Sequence, residues 1–255
     1  MPPTEARRAA GFASFEAGLE ACRRILRRGA APAVLRLYDE TESQRNFELA
    51  GTNVLVVLEE ADPDLVAGTM AVVDAECASA DPLDDGLVGR WLDHRNDVSA
   101  LAPLWRGGIV VDTVEVAARW RALPTLYRSV LDALGAIEGT LVASSHQSHA
   151  YPDGACLYFT FAGRAPEAVD AAATAEWGET YYRAAWDAAT AATLDAGGAI
   201  SHHHGIGLNR SRYLVEALGP AHRVLAAVKQ SLDPHGILNP GKLGLPSPFG
   251  PPPWP

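Results

Sequence analysis

"GTLVASSHQSHAYPDGACLYFTFAG", residues 139–163, decides the fold class. Two β-rich runs, 139–150 and 155–163, flank the tetrapeptide Tyr151-Pro152-Asp153-Gly154. Proline presets φ for a turn and glycine accepts φ > 0, so the runs are expected to fold back as an antiparallel hairpin. In the second run Leu157, Phe159 and Phe161 alternate with Cys156, Tyr158 and Thr160. Alternation places one set on each face of a sheet. The apolar set is expected to be core, which leaves the Tyr158 phenol on the less apolar face.

Outward from the hairpin, "AVLRLYD" (33–39) reads as a strand with Leu35 and Leu37 on one face and Val34, Arg36 and Tyr38 on the other. "TNVLVVLEE" (52–60) is apolar enough for a central strand, and "GGIVVDTVEVAA" (107–118) is a further strand. Phe12, Phe15, Leu19, Cys22, Ile25 and Leu26 recur at helical spacing before Gly29. Asp62 and Pro63 signal a helix start for 62–78. Residues 81–97 are expected to be loop, and the helix that runs to Leu134 to be broken or kinked at Pro124. A long Ala-rich helix over 165–196, a short strand "AISHHH" (199–204) and a helical stretch 211–233 divided at Gly219-Pro220 complete the pattern. Hairpins interrupt the βα alternation. The expected fold is α+β, a mostly antiparallel sheet flanked by helices with a C-terminal helical return.

The 255 residues are 48% hydrophobic, enough for a sizeable core. A formal charge of -10 disfavours nucleic acid as a partner, and the Arg23, Arg24, Arg27, Arg28 group reads as a solvated helix face. Three cysteines, Cys22, Cys77 and Cys156, with no CxxC spacing, argue against a disulfide framework or a structural zinc and for a reducing cytoplasm. The N-terminal residues lack the apolar run of a signal peptide, and no stretch approaches a membrane span.

Two glycine motifs fail on inspection. "GILNPGK" (236–242) resembles a P-loop but is followed by Leu243 and prolines, so the phosphate-binding helix is missing. "GIGLNR" (205–210) lacks the third glycine of a dinucleotide fingerprint. "SHHHGIG" (201–207) is the distinctive stretch. As a strand it would turn His202 and His204 to one face and His203 to the other. Three readings stand: proton handling beside a bare glycine backbone, structural hydrogen bonding, and a metal site. The last needs a third ligand that no HExxH-type spacing supplies, although His146 and His149 on the hairpin can come near; no metal is expected. Tyr158 is either a core tyrosine or an acid/base group.

"SHHHGIG" followed by "VKQSLDPHGILNPGKLGL" (228–245) resembles the C-terminal end of FAD-linked oxidases of the vanillyl-alcohol oxidase type. With "RLYD", "LEEADPDLV", "DTVEVAARW" and "SHAYPDGACLYFTF", the likeness is nearest to alkylglycerone-phosphate synthases and runs from Phe12 to Leu245. The resemblance implies a cap or substrate domain over 12–198, a flavin-facing segment over 199–245 and an irregular Pro-rich tail over 246–255. It implies Tyr158 as the proton-removing tyrosine, with His202, His203 and His204 beside flavin and substrate phosphate. Arg95 is the nearest match to the arginine that binds the substrate anion; Arg36 matches an arginine whose integrity the family needs, and Tyr151 joins the substrate side. Gly205, Gly207 and Asn239 would face the FAD. Most FAD contacts would come from a separate or upstream FAD-binding domain. The implied substrate is a small molecule of the acyl or alkyl dihydroxyacetone phosphate kind, with a 2-hydroxy acid such as D-lactate or glycolate as the alternative. A non-catalytic cap that binds a partner or acyl ligand is the reading outside enzymology. A cytoplasmic site, peripheral membrane contact and a homodimer are compatible with these expectations.

Overall fold

The computed structural model describes residues 4–97, 99, 101–165 and 170–250. Seven strands form one antiparallel sheet in the order β4-β1-β3-β2-β6-β7-β5. In chain order the elements are β1 (Thr4–Phe12), α1 (Phe15–Arg27), β2 (Val34–Tyr38), α2 (Glu40–Phe47), β3 (Asn53–Ala61), α3 (Pro63–Glu76), the two-residue β4 (Asp81–Pro82) and α4 (Gly86–His94). Then come α5 (Leu101–Arg106), β5 (Val110–Arg119), α6 (Leu123–Gly135), β6 (Thr140–Ala150), β7 (Gly154–Gly163) and α7 (Ala171–Asp195). A 3-10 turn at Ser211–Tyr213 leads into α8 (Leu214–Leu218) and α9 (Ala221–Leu232), which meet at Gly219-Pro220 as expected.

The hairpin forms: the Tyr151 amide donates to Gly154 O at 2.8 Å, and β6 pairs with β7 in antiparallel register, but Gly154 does not adopt the φ > 0 expected of the turn. Gly154 is required there, because a Cβ would run into the backbone of Ala118. Leu157, Phe159 and Phe161 are fully buried in the main core with Leu37, Leu55, Val57, Val114 and Val116. Residues of α1, α3, α6 and α7 close that core from one side of the sheet. β3 is buried on both faces. Its Val54, Val56 and Leu58 form a second cluster with Tyr38, Phe47 of α2 and Leu87 and Val88 of α4. The second face is thus apolar only beneath α2 and α4. Beyond them, over β6, β7 and β5, it is polar, and the functional site lies there.

Several expectations are corrected. The segment 81–97 is not all loop: it holds β4 and α4, and Trp91 and Leu92 of α4 pack on the second cluster. Pro124 lies in the first turn of α6, where its missing N–H costs nothing, and does not kink the helix. β1 and α2 were not anticipated. β1, "TEARRAAGF", has few β-formers, yet it pairs with β3 over all nine of its residues, from Thr4↔Ala61 to Phe12↔Asn53. Tertiary pairing overrides weak local preference. The "AISHHH" strand does not form: only Ala199 bridges to Ala117, and His203 adopts a left-handed φ of 40°. The expected split of the three imidazoles between two sheet faces is therefore lost. Cys156 does share the Tyr158 face, as expected, and is fully buried there. Residues 166–169 of the expected long helix and 251–255 of the Pro-rich tail lie outside the described residues.

Candidate functional site

Antiparallel register builds a transverse row. Tyr38 of β2 is paired with His146 of β6, His146 with Tyr158 of β7, and Tyr158 with Glu115 of β5. Directly paired residues project from the same face, so the row stands on the polar side. Its rings stack: Tyr38 on His146 with centroids 5.0 Å apart at 25°, and His146 on Tyr158 at 5.0 Å and 24°. Thr113 Oγ1 donates to the Tyr158 hydroxyl oxygen at 3.0 Å. That bond uses the phenol as acceptor and leaves its proton for another partner.

α2 places a carboxylate behind this row. Asp39 caps the helix, accepting from the Glu42 amide at 2.8 Å and from the Ser145 amide at 2.6 Å. Burial pushes the Asp39 carboxyl up to about 7, with Glu42 adding to the effect and the two amides opposing it. Glu42, 1% exposed, accepts from His146 Nδ1 at 2.9 Å, Thr160 Oγ1 at 3.0 Å and Ser144 Oγ at 3.2 Å, and forms an ion pair with Arg45 at 3.0 Å. Burial alone would raise its pKa; His146, Arg45 and Thr160 outweigh it and hold the carboxyl at about 2.

At the far end of the row Glu115 is fully buried and ringed by imidazoles. His203 Nδ1 and His204 Nε2 each lie 3.2 Å from Oε2; His149 and His202 lie 3.8 and 3.9 Å from Oε1. Ser148 Oγ donates to Oε1 at 2.9 Å. The donor atoms of Glu115, His149, Cys156 and His202 lie within 4.8 Å of one another, as do those of Glu115, His203 and His204. Burial lowers the His149 pKa, as do Arg36, His203 and His202, against the pull of Glu115. The histidine loop is tied down by Arg210, which donates to Ile200 O at 2.7 Å, Gly205 O at 3.3 Å and Glu115 O at 3.4 Å. Its guanidinium also lies over Trp186, 4.7 Å from the ring centroid.

These groups open on a cleft of about 350 Å³ whose wall includes Arg36, Arg45, Arg90, Arg95, His146, His149, Tyr158 and His203. Arg36 and Arg95 lie over the Trp91 ring, 5.3 and 5.5 Å from its centroid, and Trp91 Nε1 donates to the Tyr38 hydroxyl at 2.6 Å. Among the described residues no carboxylate pairs with Arg36, Arg90 or Arg95. Four arginines outnumber the carboxylates Glu42, Asp97 and Glu115 on this imidazole-rich wall, a positive excess that suits a small anion in a chain of charge -10.

Of the residues singled out from sequence, Tyr158, His203, Arg36 and Arg95 line this cleft, and the His204 ring meets Tyr158 edge-on at 5.5 Å. His202 and Tyr151 are joined by a 3.2 Å hydrogen bond and line a neighbouring hollow of about 290 Å³. Gly205 and Gly207 take φ of 76° and 58°, and a Cβ on either would meet open space. Asn239 is exposed in the C-terminal segment, also with positive φ, and is not on the cleft wall. Sequence reasoning missed Glu115, Glu42 and Arg210 as parts of the site and placed His146 near the histidine run only as a candidate metal ligand. The available signal was a lone glutamate inside "VVDTVEVAA", which an apolar strand keeps only when the charge has partners.

Known proteins agree with this architecture. The family model for FAD linked oxidases, C-terminal domain, matches residues 1–243. The chain belongs to that family, whose members are FAD-linked oxidoreductases. It is 26% identical over 243 residues to the uncharacterized FAD-linked oxidoreductase YgcU of Escherichia coli K12, covering 90% of this chain and 49% of that protein. It is 25% identical over 275 residues to the alkyldihydroxyacetonephosphate synthase of Trypanosoma brucei brucei, covering 93% and 43%. A solved alkyldihydroxyacetonephosphate synthase superposes with a TM-score of 0.67 at 20% identity, over 95% of this chain and 45% of that one. The chain spans about half the length of the relatives it matches. No helix among the described residues is long and apolar enough to cross a membrane.

Proposed function

We propose that this chain forms the substrate-facing wall of an FAD-dependent oxidoreductase acting on a phosphorylated keto compound of the acyl-dihydroxyacetone phosphate type. The observation that carries the reading is the shared cleft of Tyr158, His203 and the carboxylate-free Arg36 and Arg95. In this reading the two arginines hold the phosphate, supported by the Trp91 ring. Tyr158, its oxygen bonded by Thr113, takes the proton from the carbon beside the ketone after passing its own phenol proton to a neighbouring imidazole of the cleft. His203 and His204, gathered on buried Glu115, donate to the oxygen where charge develops, an effect worth about 3–4 kcal/mol per donor in a dry site.

The chain fits one edge of a flavin. Bare backbone at Gly205 and Gly207 and exposed His203 would hold it, and, because the exchange is redox-neutral, the flavin would supply an electron-pair sink that is restored within each turnover. Residues 12–198 would then be the cap and 199–245 the flavin-facing segment. The helix α9 has no buried residue and exposes Val224 at 65% and Leu232 at 77%. An FAD-binding domain is the partner we assign to that face.

The test is exchange of the acyl group of acyl-dihydroxyacetone phosphate for a fatty alcohol, with FAD and an FAD-binding domain supplied. Activity that Tyr158→Phe lowers at least 100-fold supports the reading. Turnover of D-lactate or glycolate in its place, or equal activity in Tyr158→Phe, contradicts it.

A further inference from the structure

The polar row contains one imidazole outside the histidine run, and its surroundings are built. His146 is 14% exposed, sandwiched between Tyr38 and Tyr158, and bonded through Nδ1 to Glu42. An ionised carboxylate only accepts, so Nδ1 must carry the proton it donates. Glu42 is itself fixed by Ser144, Thr160 and Arg45, so it is not free to turn away. Nε2 has no protein hydrogen-bond partner among the described residues, and His146 lines the cleft. A structural histidine satisfies both nitrogens when it can. This one is held at one nitrogen and left open at the other, one strand from the Tyr158 phenol.

We propose that Glu42 and His146 form a carboxylate–imidazole pair that presents an unprotonated Nε2 to the cleft as the acceptor for a ligand hydroxyl. His146 is the ligand-contacting residue; Glu42 is a positioning residue acting through it. The inference rests on the phosphorylated-ketone reading and deepens it. Arginines recognise the phosphate end; acyl-dihydroxyacetone phosphate has no free hydroxyl, so the hydroxyl that His146 accepts is that of the incoming alcohol in the same cleft. Recognition of a hydroxyl through a buried-partnered acceptor discriminates more strongly than apolar contact, because an analogue lacking the hydroxyl leaves the acceptor unpaired.

The experiment uses the full 255-residue chain and has two readouts. Nitrogen-15 imidazole spectra at pH 7.5 report the tautomer of His146. The pair predicts a proton on Nδ1 in the wild type and a mixed or inverted tautomer in Glu42→Gln. Calorimetry then measures 1-octanol, a probe for the alcohol, against wild type, His146→Asn and His146→Gln. Asparagine reproduces the Nδ1 position alone; glutamine reaches the position of Nε2. Affinity should fall about tenfold in His146→Asn and be largely restored in His146→Gln, in line with the worth of about one hydrogen bond. An Nε2-protonated tautomer in the wild type overturns the proposal. So does wild-type binding that both variants match. Absence of binding by the wild type defeats the underlying functional reading as well, which separates the two failures.

Discussion

The buried carboxylate of Glu115 lies 3.2 Å from both His203 Nδ1 and His204 Nε2, although the histidines are 88 and 89 residues further along the chain. Glu115 Oε2 has no properly aligned donor among the described residues, so proximity rather than a set hydrogen bond holds it. The loop 201–207 has no helix or strand of its own. Glu115, Arg210 and the His202–Tyr151 hydrogen bond attach it to the sheet and its β6–β7 turn.

Glu115→Ala should therefore free the loop. Amide hydrogen exchange at 201–207 is expected to rise at least tenfold, while the amides of β5 and β7 keep their protection. Unchanged exchange in the loop would show that Arg210 and the Tyr151 bond suffice and that Glu115 does not tether it.

Core and site face should respond differently to substitution of neighbouring residues. Phe159 is fully buried, and Phe159→Ala should cost about 3–5 kcal/mol in urea unfolding. Tyr158→Phe removes one hydroxyl that faces the cleft and should shift stability by less than about 1 kcal/mol. Equal losses for both would mean that Tyr158 is packed as core.

Asp39 gives stability a pH signature. Its carboxyl titrates near 7 in the fold, above the ordinary carboxylate range, so the unfolded chain releases its proton more readily. The stabilisation is full below about pH 4 and is lost as pH rises through 7. The stability difference between wild type and Asp39→Asn should fall by about 2–4 kcal/mol from pH 4 to pH 7 and be flat above that. Glu42 acts oppositely: its contribution is present above about 4.5 and lost as pH falls through about 2. A difference between wild type and Asp39→Asn that is constant from pH 4 to 7 would place Asp39 in water.

Gly154 tests the hairpin itself. Gly154→Ala puts a methyl group against the Ala118 carbonyl and should destabilise by about 1–3 kcal/mol, read from the urea midpoint. A neutral result would mean that the β5–β7 pairing does not close at that end.

The antiparallel hairpin was legible because Pro-Asp-Gly and strict alternation in "ACLYFTFAG" are local signals, and local chemistry sets them. The central place of "TNVLVVLEE" was legible from unbroken hydrophobicity for the same reason. β1 was not, because "TEARRAAGF" becomes a strand only by pairing with β3, a contact 41 residues or more away in sequence. α2 was hidden by its polarity: buried Ser43 and Glu42 serve hydrogen bonds rather than a stripe of apolar residues. In the site, Tyr158 and the histidine run stood out by residue type. Glu115, Glu42 and His146 belong to it through cross-strand register, which alternation alone does not reveal.

The most direct test of the account is a two-dimensional NMR titration of the chain with dihydroxyacetone phosphate, following the imidazole, guanidinium and tyrosine ring signals. The account predicts saturable shifts at Arg36, Arg95, Tyr158 and His203 together, with Trp91 moving in concert. Shifts confined to the Arg23–Arg28 face of α1, or saturable shifts that leave Tyr158 and His203 unmoved, would contradict it.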